Sequence, residues 1–224
     1  MSFLSDLERE WVTIEVPGTP APSSPYATYV RYRSEELPTP PADVAELRWL
    51  QRAARHPDDY MGSAFDRAVR DLSSPAAADL LDGLPLPGDF LRFLDGGLRD
   101  RLRSATDSYF DLGDVLIEVE GGHLLHLISD SQWVFHWLLY VGNDGSSAVL
   151  GTSYPAGYTL DPEEAVSWRE EAWGYLLVAD SFAEFIWRWW MDNDIFYRVV
   201  VEESEMTPGD RAYARQYGSP MTFG

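Results

Sequence analysis

Three of the chain's four histidines, His123, His126 and His136, fall close together, with Ser129, Asp130 and Ser131 among them. Imidazoles beside a carboxylate are a donor set for a divalent metal, and serine with histidine and aspartate is one for a covalent nucleophile. The spacing supports neither. His123 and His126 are three apart, which on a strand puts them on opposite faces and away from a shared ion. No H-E-x-x-H helix, no G-x-S-x-G elbow and no G-x-x-x-x-G-K-[ST] phosphate loop occurs, and Gly96-Gly97 and Gly121-Gly122 do not replace the last. The expectation is therefore no catalytic residue, no metal and no cofactor, with His136 a core histidine bonded to a neighbour. A hydrolase using His136 is the last alternative.

The other groups with chemistry to offer are acids. The 224 residues carry a formal net charge of −20, and all 17 basic residues are arginine. Residues 1–110 hold 18 acids against 12 arginines, residues 111–224 hold 19 against 5, and no basic residue lies between Arg103 and Arg169. Such a field repels nucleic acid and anionic lipid and steers basic partners inward; plain solubility is the competing account. The acids best placed for a partner are Asp130, Asp144, Glu163, Glu164, Glu170 and Glu171, with Trp133, Trp168 and Trp173 as aromatic anchors. There is no cysteine, which removes disulfides, thiol catalysis and cysteine-bound metal. The N-terminus lacks a basic then apolar leader, and no 18-residue apolar run occurs, so a cytoplasmic chain with no membrane partner is expected.

These groups need a scaffold, and its centre is 122–152. Three apolar runs, Leu124–Ile128, Trp133–Val141 and Ala148–Thr152, are separated by Ser-Asp-Ser and by Gly142-Asn143-Asp144-Gly145. A nearly continuous apolar run implies a strand buried on both faces, and Asn143-Asp144-Gly145 suits a hairpin turn. Trp133–Val141 is expected at the centre of an antiparallel sheet, with Val115–Val119, Trp11–Val16 and Gly174–Val178 as further strands. Pro17–Pro41 reads as a proline-rich arm containing the extended piece Tyr26–Tyr32.

Helices are expected from Asp43 with Val44, Leu47, Leu50 and Ala54 on one face, from Asp58 or Asp59 with Met61, Phe65, Val69 and Leu72, and from Ser74-Pro75 to Leu81. A proline-opened helix in 84–98 should turn Phe90, Leu91 and Leu94 to the core and stop at Gly96-Gly97, with Arg99 and Arg103 paired to nearby acids. The strongest helix is Asp180–Phe196, opened by Ser181 and Glu184 and striped by Phe182, Phe185, Ile186, Trp189, Asn193 and Phe196. Trp187 and Trp190 fall off that stripe, so either a second layer such as Val199–Val201 or the proline-rich arm covers them or they are exposed for a partner; cover is expected. Thr207-Pro208 opens a last short helix.

The order of Leu84-Pro85, Phe90, Phe93 and Asp95-Gly96-Gly97, then Asp144-Gly145, then Asp180-Ser181-Phe182 with Glu184-Phe185, resembles the Smi1/Knr4 family of the SUKH superfamily. The segment Ile128 to Trp137 is similar to the LSDSQ-x-x-x-HW of actinobacterial members. Asp95 stands where the family usually has asparagine, and the likeness covers about Leu84 to Phe196. It implies an α+β fold, an antiparallel meander packed by helices, and a protein-binding module without catalysis. Bacterial members look like immunity proteins that neutralise toxins, often nucleases or deaminases; others resemble regulatory scaffolds binding an endogenous partner. The expected organisation is an extension over 1–83, the family-like core over 84–197, and a strand and short helix over 198–224.

Overall fold

The computed structural model describes residues 3–20, 28–57, 61, 75–113, 115–154, 156–157 and 174–221, with the side chains of 75–77 left aside. It is an α+β protein around an eight-stranded, mostly antiparallel sheet. The strands are β1 (Glu8–Thr13), β2 (Val30–Arg33), β3 (Tyr109–Phe110), β4 (Ile117–Val119), β5 (Gly122–Ser129), β6 (His136–Gly142), β7 (Ser147–Thr152) and β8 (Tyr175–Ala179). Their order is β2-β1-β8-β7-β6-β5-β3, with β4 paired to β5. Strands β5 to β8 follow one another antiparallel in the sheet, with β6 and β7 joined by the tight turn at 143–146. Strand β1 is the exception: Glu8 and Arg9 run parallel to β8, and Glu10–Thr13 then pair with β2.

All seven residues of β6 are buried, as its unbroken apolar run requires. One face carries Leu125, Trp137, Leu139, Val141 and Val149 against the helices. The other carries Leu124, Leu138, Tyr140 and Leu150, covered by Phe3 and Leu4 of the N-terminal 3-10 turn and by Leu7 just after it. The strand nevertheless begins at His136, three residues later than expected, because Trp133 has a left-handed backbone (φ 59°) that no strand accommodates.

The helices are α1 (Arg48–Arg52), α2 (Pro75–Leu81), α3 (Gly88–Asp95), α4 (Phe182–Phe196) and α5 (Pro208–Ala214). The expected helix from Asp43 is broken, since buried Leu47 adopts φ 54° between a 3-10 turn and α1. The helix expected over Met61–Leu72 lies outside the described residues except for Met61, which is buried. On α3 the core side chains are Phe90 and Phe93, whereas Leu91 is 41% exposed, contrary to the expected face. Gly97 closes that helix at φ 56°, the left-handed stop that glycine accepts without a Cβ clash. Arg103, as expected, pairs with Glu202 at 2.9 Å and Asp194 at 3.5 Å.

Helix α4 lies on the sheet through the expected stripe, with Trp189 edge-on to Trp137 at 4.8 Å. Phe182 at its start packs on Phe90 and Phe93 at 4.9 and 5.2 Å, and the buried Asp89 carboxylate accepts from the Ala183 N–H at 2.8 Å. An anion there meets the positive end of the helix dipole. Trp187 is buried and packs on Tyr213 of α5 (5.5 Å), and Trp190 is partly buried and packs on Trp49 of α1 (5.3 Å). The strand expected in 198–224 is absent at Tyr197–Val201, where a π-helical turn extends α4 and leaves Val200 and Val201 exposed.

Candidate functional site

A bulge completes the histidine cluster by bringing Ser129 to it. Pairing between β5 and β6 steps from His126↔Leu138 to Ile128↔Trp137, leaving Leu127 as the extra residue. Without the bulge, His126 and Ser129 would point to opposite faces; with it, both join His136 on the sheet face away from α4. His123 does sit on the face opposite to His126, opposing Val141 of the helix-side core. Ser129 Oγ is 3.0 Å from His136 Nδ1 and 3.3 Å from His126 Nε2, and the two ring nitrogens are 3.3 Å apart. His126 Nδ1–H donates to the Asp111 carbonyl, which can only accept, so His126 Nε2 is a lone pair. The Ser129 hydroxyl can accept from a proton on His136 Nδ1 or donate to that nitrogen, and His136 Nε2 is buried without a hydrogen-bond partner.

Ser129, His126 and His136 are each 0% exposed. Burial pushes both imidazoles down to about 4, helped at His136 by the neighbouring His126, so both are neutral at pH 7. The expected reading of His136 as a bonded core histidine agrees with this geometry. Among the described residues no group of three or more histidines, aspartates or glutamates is arranged to hold a metal ion.

The cover over the cluster is glycine. Gly113 (φ 66°) and Gly157 (φ 89°) approach so closely that a Cβ on Gly113 would lie 2.4 Å from the Gly157 carbonyl oxygen, and one on Gly157 2.8 Å from His126 Cβ. Gly113→Ala is expected to destabilise the protein by about 2 kcal/mol or more, combining backbone strain with a contact that must open. Chemical denaturation at pH 7 measures it; an unchanged midpoint would show that the cover yields freely.

Of the acids and tryptophans expected at a partner surface, three are described. Asp130 is buried, with Oδ1 accepting from the Gln132 and Val134 amides at 3.1 and 2.9 Å and Oδ2 from Tyr29 OH at 3.0 Å. It builds the loop rather than offering charge to solvent. That loop presents Trp133 at 42% and Val134 at 48% exposure, with Trp133 held by an Nε1–H bond to Tyr109 OH at 2.7 Å and edge-on to His136. Asp144 is exposed in the β6–β7 turn, where bonds from the Ser146 hydroxyl and amide lower its carboxyl below the usual range. It lies in a different turn from Trp133. Glu163, Glu164, Trp168, Glu170, Glu171 and Trp173 lie outside the described residues.

A second buried polar centre was not foreseen. Asp192 of α4 is 0% exposed and accepts from Trp11 Nε1–H (2.9 Å), Thr13 Oγ1 (2.6 Å), Tyr213 OH (2.7 Å) and Tyr217 OH (2.7 Å). One carboxylate thereby ties β1, α4 and the C-terminal segment together. The signal was a carboxylate inside the aromatic helix sequence Phe185–Phe196, which demands partners when buried. No candidate catalytic role follows, since every partner is a donor fixed in the core.

Compared with family models, with curated proteins and with solved structures, the chain matches none. Among the described residues no helix is long and apolar enough to cross a membrane.

Proposed function

We propose that this protein is a non-catalytic binding module, an immunity-type protein that neutralises a basic toxin domain of the nuclease or deaminase kind by stoichiometric contact through acidic surface. The observation that carries the reading is the charge: a net −20, with no basic residue between Arg103 and Arg169. A nuclease must bind phosphate and is basic, so an acidic inhibitor gains association rate by steering and occupies the cleft by imitating the substrate's charge. The resemblance to Smi1/Knr4 proteins points the same way. The burial of Ser129, His126 and His136 fits a core role rather than turnover.

The test is a kinetic binding measurement with a basic toxin domain at low and high salt. A tight one-to-one complex is expected, with an association rate that falls about tenfold or more from low to physiological salt. Charge reversal at Glu163, Glu164, Glu170 and Glu171 should slow association further; unchanged kinetics would reject that acidic segment as the contact. A hydrolase reading rests on the 3.0 Å contact between Ser129 Oγ and His136 Nδ1 alone. A His136→Ala protein that folds and keeps full function leaves it nothing.

A further inference from the structure

A groove of about 820 Å³ opens where β1 leaves the main sheet for its pairing with β2. Its walls include Tyr29, Phe135 and Tyr154, and its rim includes Asp6, Glu8 and Val134. The walls are fixed. Tyr29 and Phe135 pack with ring centroids 5.5 Å apart, and Tyr29 OH is anchored on Asp130. The Tyr154 ring lies against Gly174, where a Cβ would come within 2.5 Å of it. The rim is acidic and open: Asp6 and Glu8 are exposed and form no ion pair among the described residues. Arg31 also lines the groove, but its guanidinium Nε–H is turned onto Glu10.

We infer that this groove receives an arginine side chain of a basic polypeptide partner. The planar cation would lie along the tyrosine and phenylalanine rings, with its fork toward Asp6 and Glu8. Three aromatic walls supply ring faces, which attract a weakly hydrated guanidinium, and fixed rings lose little freedom on binding. Two exposed carboxylates at the mouth match the sign of the steering field and add charge-assisted hydrogen bonds. Val134 and Trp133, half-exposed on the adjoining loop, give apolar contact beside the anchor, as interface hot spots require. A nucleic acid or anionic lipid is refused by the same rim charge. The inference rests on the reading of the protein as a module for a basic partner, and it names the surface and the side chain engaged.

The probe is a labelled arginine-rich nonapeptide, with the same peptide carrying citrulline in place of arginine as its uncharged match, measured by fluorescence anisotropy. Wild type should bind the arginine peptide at least tenfold better than the citrulline peptide. The double variant Asp6→Arg, Glu8→Arg should weaken binding tenfold or more, and Tyr154→Ala three- to tenfold. Glu203→Arg with Glu205→Arg, exposed acids remote in sequence, should change it less than twofold. Equal loss in both charge-reversed pairs would mean diffuse attraction and overturn the groove, as would equal binding of the citrulline peptide or full binding by Tyr154→Ala. Thermal melts of each variant exclude unfolding as the cause. If the peptide binds the groove and no basic toxin domain does, the groove stands and the immunity reading falls. If a toxin domain binds equally to wild type and to Asp6→Arg, Glu8→Arg, the groove falls and the immunity reading stands.

Discussion

Asp192→Ala is expected to cost about 3 to 5 kcal/mol, a large share of a typical domain's total stability. The carboxylate accepts four hydrogen bonds, all from side chains distant from it in sequence. Removing it leaves the Trp11 N–H and the Thr13 hydroxyl buried with no acceptor and the Tyr213 and Tyr217 hydroxyls with only each other at 3.2 Å, so three donors are orphaned, each at a cost of about 1 kcal/mol or more. It also opens a cavity between β1, α4 and α5. Asp192→Asn should be milder, about 1 to 2 kcal/mol, because the tyrosine hydroxyls can turn to accept from the amide while Trp11 and Thr13 keep the carbonyl. Chemical denaturation followed by tryptophan fluorescence measures both, and equal costs for the two variants would deny the site its dependence on the donors' directions. The pH dependence has a definite sign. Burial raises the Asp192 carboxyl above the usual range, with the four hydrogen bonds drawing it part of the way back. The unfolded chain therefore gives up this proton first, and the group withdraws stability as pH rises from about 3.8 through its folded value. Asp192→Asn removes that withdrawal, so its cost should shrink as pH rises through that window.

The largest acid effect is expected from the histidine pair. Both folded values lie at about 4, below the unfolded value of 6.5. The unfolded chain thus binds protons that the folded chain refuses, and stability is lost as pH falls from about 6.5 toward 4. The loss is on the order of 3 kcal/mol per histidine at pH 4. His126→Gln and His136→Gln each break buried hydrogen bonds and should be less stable than wild type at pH 7 by about 1 to 3 kcal/mol. Because neither variant pays that proton term at the replaced position, the gap to wild type should close by about pH 4.5. Denaturation curves at pH 7, 5.5 and 4.5 give the comparison; a gap that stays constant would show that the imidazoles are not buried neutral in the folded chain.

Much of the fold was legible because it depends on local chemistry. The unbroken apolar run of β6 announced burial on both faces, and Asn143-Asp144-Gly145 announced the turn that follows it. Ser181 caps α4 through the Glu184 amide at 3.2 Å, and Thr207 and Asp210 cap α5 reciprocally, as residue types that compete for free helix N–H groups should. Glycine at 97 stopped α3 for a reason contained in one residue.

What the amino-acid order determined by itself was therefore the sheet's buried strands, its turns, the amphipathic stripe of α4 and a strongly anionic field. Which atoms meet was decided only in three dimensions. A single extra residue at Leu127 turned Ser129 onto the face that His126 and His136 already share, and no residue type in β5 foretells it. Asp192 found its donors at Trp11, Thr13, Tyr213 and Tyr217, a choice set by how β1 and α5 close over α4. Asp130 went inward and Trp133, the first residue of an apolar run, went outward, although both stand in the loop between β5 and β6. Periodicity and capping act over a few residues and can be read from neighbours in sequence. Register, bulges and the pairing of buried polar groups are settled by contacts between distant segments, where the need to satisfy each desolvated donor and acceptor selects one arrangement from many.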